Sequence, residues 1–170
     1  MRTRQKDRGT PGPEEPWNEI TTGLWMGGHH WTDRTGELQP AVVHRQFDLV
    51  VSLYSRPGHG PDPDVPHLVG EMPDGPLTAE QLGTVQELAQ ATTAARQAGR
   101  TVLVRCHSGY NRSGLVVAQT LLHLGHDLES AAALIRRRRS PWALNNPLFT
   151  DYLTIGLDTA RLLTGLDEPV

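Results

Sequence analysis

The chain has 170 residues, 37% apolar and 21% charged, which suffices for one domain with its own core and no disulfide or metal staple. A formal net charge of −3 excludes a basic body built to coat nucleic acid or an acidic membrane. Cys106 is the one cysteine, which excludes an internal disulfide framework and a cysteine-based zinc centre, and no apolar run approaches the roughly 18 residues of a membrane span. A cytoplasmic location is expected.

Residues 1–16 are polar and rich in Pro and Gly, and read as a flexible N-terminal tail, with a single domain expected over 17–170. Ile20 to Gly28 reads as a short strand ended by glycines, Thr35 to Arg45 as weakly helical, and Phe47 to Leu53 as a buried strand. Ser55 to Pro66 is dense in turn formers and reads as a loop before a strand candidate from His67 to Met72. Thr78 and Gln81 form a capping-box pair ahead of a helix over about 79–98. Its apolar face is Leu82, Val85, Leu88, Ala89, Thr92 and Ala95, and Gly99 follows it. Thr101 to Arg105 is β-branched and reads as a strand, followed by a helix from Arg112 to Leu124. Two further helices are expected, Leu128 to Arg139 capped by Asp127, and Pro147 to Leu163 with proline in its first turn. The order implies an α/β fold, a central mixed, largely parallel sheet flanked by helices, with a site at the carboxyl ends of its strands.

Cys106 falls at that place, in Cys106-His107-Ser108-Gly109-Tyr110-Asn111-Arg112-Ser113, which leaves a strand and enters a helix. Such a loop turns several backbone N–H groups and a helix N-terminus into one concavity, a nest for a tetrahedral oxyanion. The same field favours a thiolate at Cys106. Arg112 presents a planar fork suited to two phosphate oxygens, and Ser113 is placed to donate to the sulfur.

Cysteine, five residues, then Arg and Ser resembles the cysteine-dependent protein phosphatases, most closely their compact dual-specificity and protein-tyrosine branches. The resemblance runs from Trp17 onward, and includes ITTGLWMGG near the start and NNPLFTDYL at 145–153. It implies a phosphate-binding loop between strand and helix, formed by His107, Ser108, Gly109, Tyr110 and Asn111. It also implies a general acid about thirty residues upstream, where Asp74 lies 32 residues before Cys106; Asp62, Asp64 and Glu71 are rivals. By the same resemblance Asn146 buttresses the loop. One departure is visible. The family has His before the nucleophile, and this chain has Arg105, which either supplies a positive field to the sulfur or faces elsewhere.

The implied function is hydrolysis of phosphate monoesters, phosphotyrosine and also phosphoserine or phosphothreonine on proteins, through a phosphocysteine intermediate, with no cofactor and no metal. The expected partner is a phosphorylated protein or peptide, and neither a membrane nor nucleic acid. Two alternatives accompany it: a catalytically weak pseudophosphatase that binds phosphorylated ligands, motivated by Arg105, and an RNA 5′-phosphatase of the same superfamily, against which the acidic net charge counts. His29 and His30 adjoin a glycine turn but lack metal spacing. His107 and Tyr110 are expected at the pocket mouth. Arg136 to Arg139 end a helix whose dipole favours cations, and read as a solvated face or as a contact for an acidic partner.

Overall fold

The computed structural model describes residues 10–169. In chain order its elements are β1 (Trp17–Thr21), β2 (Leu24–Gly27), β3 (His30–Thr32), β4 (Leu38–Pro40), β5 (Leu49–Ser52), β6 (His67–Val69), α1 (Ala79–Gln97), β7 (Val102–Arg105), α2 (Arg112–His123), α3 (Leu128–Arg138), α4 (Pro147–Ile155) and α5 (Leu157–Asp167). Five strands form one sheet in the order β1-β2-β7-β5-β6. The pairs β2–β7, β7–β5 and β5–β6 are parallel and only β1–β2 is antiparallel, so the sheet is mixed and largely parallel.

Every residue of β5 and β7 is buried, as continuous apolar runs in a parallel sheet require. Successive side chains alternate between the two faces of the sheet. Leu49, Val51, Val102 and Val104 enter the main core, to which all five helices contribute, whereas Val50 and Leu103 enter a smaller cluster with Val43 and Phe47. Trp17 and Trp25 meet Phe47 edge-on, at 5.5 and 5.8 Å between ring centroids. The helices therefore gather on one face, and loops cover the other.

The expected capping box of α1 is present in full, and its buried face includes Leu82, Val85, Leu88, Ala89, Thr92 and Ala95. Three elements differ from expectation. The run from Ile20 is two strands, because Gly23 at φ 76° turns the chain back on itself. The segment at 35–45 is no helix: Asp33 accepts hydrogen bonds from the backbone of Thr35 and Glu37, fixing a turn, and Leu38–Pro40 pairs with His30–Thr32 as a hairpin. The last helix is two, divided at Gly156 with φ 93°. Residues 1–9 of the expected tail lie outside the described residues. Residues 11–16 run as a strap against the body: Thr32 N–H donates to the Pro13 carbonyl at 2.8 Å and Gly28 N–H to that of Pro16 at 3.2 Å.

Candidate active site

Parallel pairing brings Gly27, Arg105 and Ser52 into register, so Cys106 emerges between the ends of two flanking strands. Its amide donates to the Gly27 carbonyl at 3.2 Å, and Leu53 N–H donates to the Arg105 carbonyl at 2.8 Å. The thiol is buried, and its sulfur lies 3.3 Å from the Ser113 hydroxyl. Gly109 turns the loop at φ 76°, where a Cβ would come within 2.5 Å of the Gly27 carbonyl group. No side chain caps α2. Among the described residues none of the amides of 108–111 donates to a protein acceptor, so these donors remain available to an anion.

Arg112, only 4% exposed, begins α2. Its Nη1 donates to the Met72 carbonyl at 3.1 Å, tying the Cys106 loop to the segment that carries Asp74, and its guanidinium lies 5.6 Å over the Tyr54 ring. Its Nε has no hydrogen-bond partner among the described residues. A buried guanidinium N–H left unpaired is costly, and an oxyanion in the nest would relieve it.

Asp74 is buried, and both its carboxylate oxygens are held. Asn146 Nδ2 donates to one at 2.8 Å and Asn111 Nδ2 to the other at 3.1 Å. Asn111 Oδ1 in turn accepts from Asn146 N–H at 2.9 Å. These three residues join the Asp74 segment, the Cys106 loop and the start of α4. Asn146 also caps α4, accepting from Leu148 N–H at 3.0 Å. The chain reaches Asn146 through Leu144 at φ 56°, a strained conformation for leucine, held by a bond from its N–H to the Tyr110 carbonyl at 3.0 Å. Asp62 and Asp64 instead pair with His44 and Arg45 on the surface, and Glu71 accepts from the Ser55 hydroxyl.

One sequence expectation changes. Of the four arginines ending α3, Arg139 is 9% exposed rather than solvated. It donates to the carbonyls of Gly109 and Ser108 at 3.1 Å each, to the Glu15 carbonyl at 2.8 Å and to Asn18 Oδ1 at 2.9 Å. Arg136 stays exposed, although its guanidinium donates to the carbonyls of Ala143 and Leu144 at 3.1 Å each. Burial pushes the Arg139 guanidinium down to about 10, so it stays charged at neutral pH. Charge spacing alone cannot distinguish such arginines from a solvated row. Tyr110 is buried and tied to the strap, its hydroxyl donating to the Pro11 carbonyl at 2.9 Å, while with His107 it still lines a cavity beside the loop. His107 is half-buried against His30 and Tyr54.

Arg105 faces elsewhere than the sulfur. Alternation along β7 puts it on the opposite sheet face from Val104 and the residue that follows it. There it donates to Ser52 Oγ at 3.0 Å and to the carbonyls of His59 at 2.9 Å and Gly60 at 2.5 Å. Beside it His29 Nε2 lies 2.8 Å from the Tyr54 carbonyl, and its Nδ1 lies 3.1 Å from His59 Nδ1. A carbonyl only accepts, so His29 carries its proton on Nε2 and His59 donates from Nδ1. Burial, then the Arg105 charge, pushes His29 down to about 3. Among the described residues no group of three or more His, Cys, Asp or Glu is placed to hold a metal, and no helix is long and apolar enough to cross a membrane.

Solved structures share this architecture. Human DUSP28 superposes with a TM-score of 0.68 at 24% identity, over 89% of this chain and 99% of its own. A mouse putative dual specificity phosphatase complexed with zinc tungstate gives 0.65 at 24% identity, over 91% and 94%. Tk-PTP in its active form gives 0.61 at 24%, over 82% and 95%. The fold is that of the dual-specificity and tyrosine phosphatases. No family model matches the sequence, and no curated protein does. In this phosphatase fold the loop from Cys106 to Arg112 occupies the strand-to-helix junction at the carboxyl end of the sheet.

Proposed function

We propose that this chain is a cysteine-dependent phosphatase acting on phosphate monoesters of proteins and peptides, phosphotyrosine first and phosphoserine or phosphothreonine as well, in the cytoplasm and without cofactor. The observation that carries the reading is the unpaired, buried Nε of Arg112 beside the unused amides of 108–111, a set of donors that a phosphate dianion would satisfy. The names of the structural neighbours agree with it.

In the proposed mechanism the phosphate sits in the nest, its equatorial oxygens held by loop amides and Arg112. The Cys106 thiolate attacks phosphorus in line. A P–S bond forms as the P–O ester bond breaks, and protonated Asp74 gives its proton to the departing oxygen. Water then attacks phosphorus, Asp74 takes a proton from it, and the P–S bond breaks to release phosphate and the thiolate. Ser113 donates to the sulfur as it leaves. Asn111 and Asn146 hold the Asp74 carboxylate beside the loop, which makes them positioning residues. Ser108, Gly109 and His107 shape the nest.

Hydrolysis of an aryl phosphate in a chelator tests this, comparing the intact protein with Cys106→Ser and Arg112→Lys. Turnover abolished in the first and reduced at least about 100-fold in the second is expected. Absence of turnover in the intact protein, together with phosphopeptide binding, would instead establish the pseudophosphatase, the reading that Arg105 in place of histidine favours.

A further inference from the structure

Residues 14–16 of the strap wall an open pocket of about 1090 Å³, together with the start of β1, Trp25 of β2, and the end of β3 with the turn that follows it. No residue of the Cys106 loop lines it. Three of the chain's four tryptophans do: Trp17, Trp25 and Trp31, each half-buried. Pairing sets Trp17 opposite Gly27 and Glu19 opposite Trp25, so the two indoles stand on one face of the sheet, where both pack on the Phe47 cluster. Trp31 comes to the same concavity from the hairpin of β3 and β4. Scattered apolar exposure is ordinary on a protein surface, but three indoles gathered at one concavity make a surface suited to being covered.

The pocket also gathers three carboxylates, Glu14, Glu15 and Asp33. Asp33 accepts from the Thr35 hydroxyl at 2.6 Å and from Gln39 Nε2 at 2.8 Å, and these bonds, the first above all, hold its carboxyl down at about 2, which makes it a fixed negative charge. Glu14 and Glu15 are exposed. Arg34 is the one cation of the lining, and among the described residues no ion pair joins it to these carboxylates. The negative charge beside the tryptophans is therefore left uncompensated.

An aromatic ring face and a carboxylate attract one common ligand, an organic cation. Hard metal ions take oxygen ligands and gain nothing from indoles. The volume exceeds what a lone ammonium compound fills, and suits a length of chain that carries the cation on a side chain. Of the two side-chain cations, guanidinium is the planar and more weakly hydrated one, able to stack on an indole while its fork meets a carboxylate. We propose that this pocket is a docking site for an arginine-bearing segment of a partner protein, independent of the chemistry at Cys106. The tryptophans take the guanidinium face, and Glu14 and Glu15 take its N–H edge.

Calorimetric titration of the whole chain tests this with the peptide (Gly-Arg-Ala)3 and matched peptides in which lysine or citrulline replaces each arginine. The arginine peptide is expected to bind about tenfold or more tighter than the citrulline peptide, which keeps the shape without the charge, and about twofold or more tighter than the lysine peptide. Trp31→Ala is expected to weaken the arginine peptide about tenfold, Trp31→Phe to recover part of that loss, and the double variant Glu14→Gln, Glu15→Gln to weaken it about fivefold. The glutamine pair is at the surface and keeps the indoles in place, so its result stands even if Trp31→Ala fails to fold. Equal affinity for the arginine and citrulline peptides overturns the site. A loss in the glutamine variant with none in Trp31→Ala reduces it to surface charge and overturns it as well. Tetramethylammonium chloride that binds with the affinity of the arginine peptide, and with the same dependence on Trp31, overturns the assignment to a protein segment.

Discussion

Arg139 Nε donates to the Gly109 carbonyl at 3.1 Å, joining the end of α3 to the turn of the phosphate loop. The same guanidinium holds the Ser108 carbonyl and, on its other edge, the Glu15 carbonyl and Asn18. It thereby occupies two loop carbonyls, while no amide of 108–111 donates to a protein acceptor among the described residues. Its charge also falls close enough to Cys106 for the two to interact.

Arg139→Lys keeps the charge but loses the planar fork, and Arg139→Met loses both. Destabilisation of about 1–3 kcal/mol for the lysine variant, and more for methionine, is expected from buried acceptors left unpaired. Urea unfolding reads that cost. A purely structural role would leave the acid limb of the kcat/KM profile in place; we expect that limb to move to higher pH in Arg139→Met and to be largely restored in Arg139→Lys.

Asp74→Asn removes the proposed proton donor while keeping a side chain of the same shape. For a substrate with a poor leaving group, such as an alkyl phosphate or phosphotyrosine, kcat is expected to fall by about 100-fold or more, and far less for an aryl phosphate with an acidic phenol. Equal losses on both substrates would exclude Asp74 as the acid. Asn146→Ala leaves the acid in place but releases one carboxylate oxygen, and a loss of about 10-fold confined to the same poor substrates is expected.

Arg105→His introduces the residue that the resemblance places before the nucleophile. The imidazole is too short to serve the His59 and Gly60 carbonyls together, so the variant is expected to lose about 2–4 kcal/mol of stability in urea unfolding. Thiol alkylation of Cys106 followed against pH checks the second half of the argument. Its midpoint is expected to shift little, because Arg105 lies on the other face of the sheet.

His29 titrates near 3 in the fold and near 6.5 when unfolded, so between those values the unfolded chain binds the extra proton. Stability is therefore full above about 6.5 and falls as pH drops toward 3, with a slope of up to about 1.4 kcal/mol per pH unit from this residue. His59 and His67, also held low by burial first and neighbouring arginines after it, add to the slope. Urea midpoints measured from pH 7.5 to 4.5 should show a shallower decline in His29→Gln than in the native chain. Identical slopes would remove His29 from the explanation.

Much of the frame was legible because local rules and burial agree there. The apolar runs of β5 and β7, the Thr78–Gln81 cap and the strand-to-helix loop at Cys106 are written in neighbouring residues. What escaped notice depends on partners far along the chain. Arg139 meets Glu15 at a separation of 124 residues, and nothing in a row of four arginines distinguishes the one that turns inward. The strap was hidden for the same reason, since Pro11 to Pro16 order through acceptor carbonyls rather than apolar burial. Thr35–Arg45 misled through composition, where the Asp33 side chain and Gly36 impose a turn. Arg105 was ambiguous in isolation, and its direction followed only once the register of β7 was known.

The bracing of the phosphate loop also bears on the order in which a ribosome releases the chain. Cys106 and Arg112 are synthesised well before Arg139, which holds the loop carbonyls, and before Asn146, which holds the acid. The parallel strands β2, β5 and β7 must moreover find one another across long stretches of sequence. A nascent chain that has just emerged past Arg112 therefore carries the proposed nucleophile and phosphate ligand without the geometry that joins them. On the proposed mechanism, catalytic competence should arise in one step, late, when the residues up to α4 have left the exit tunnel.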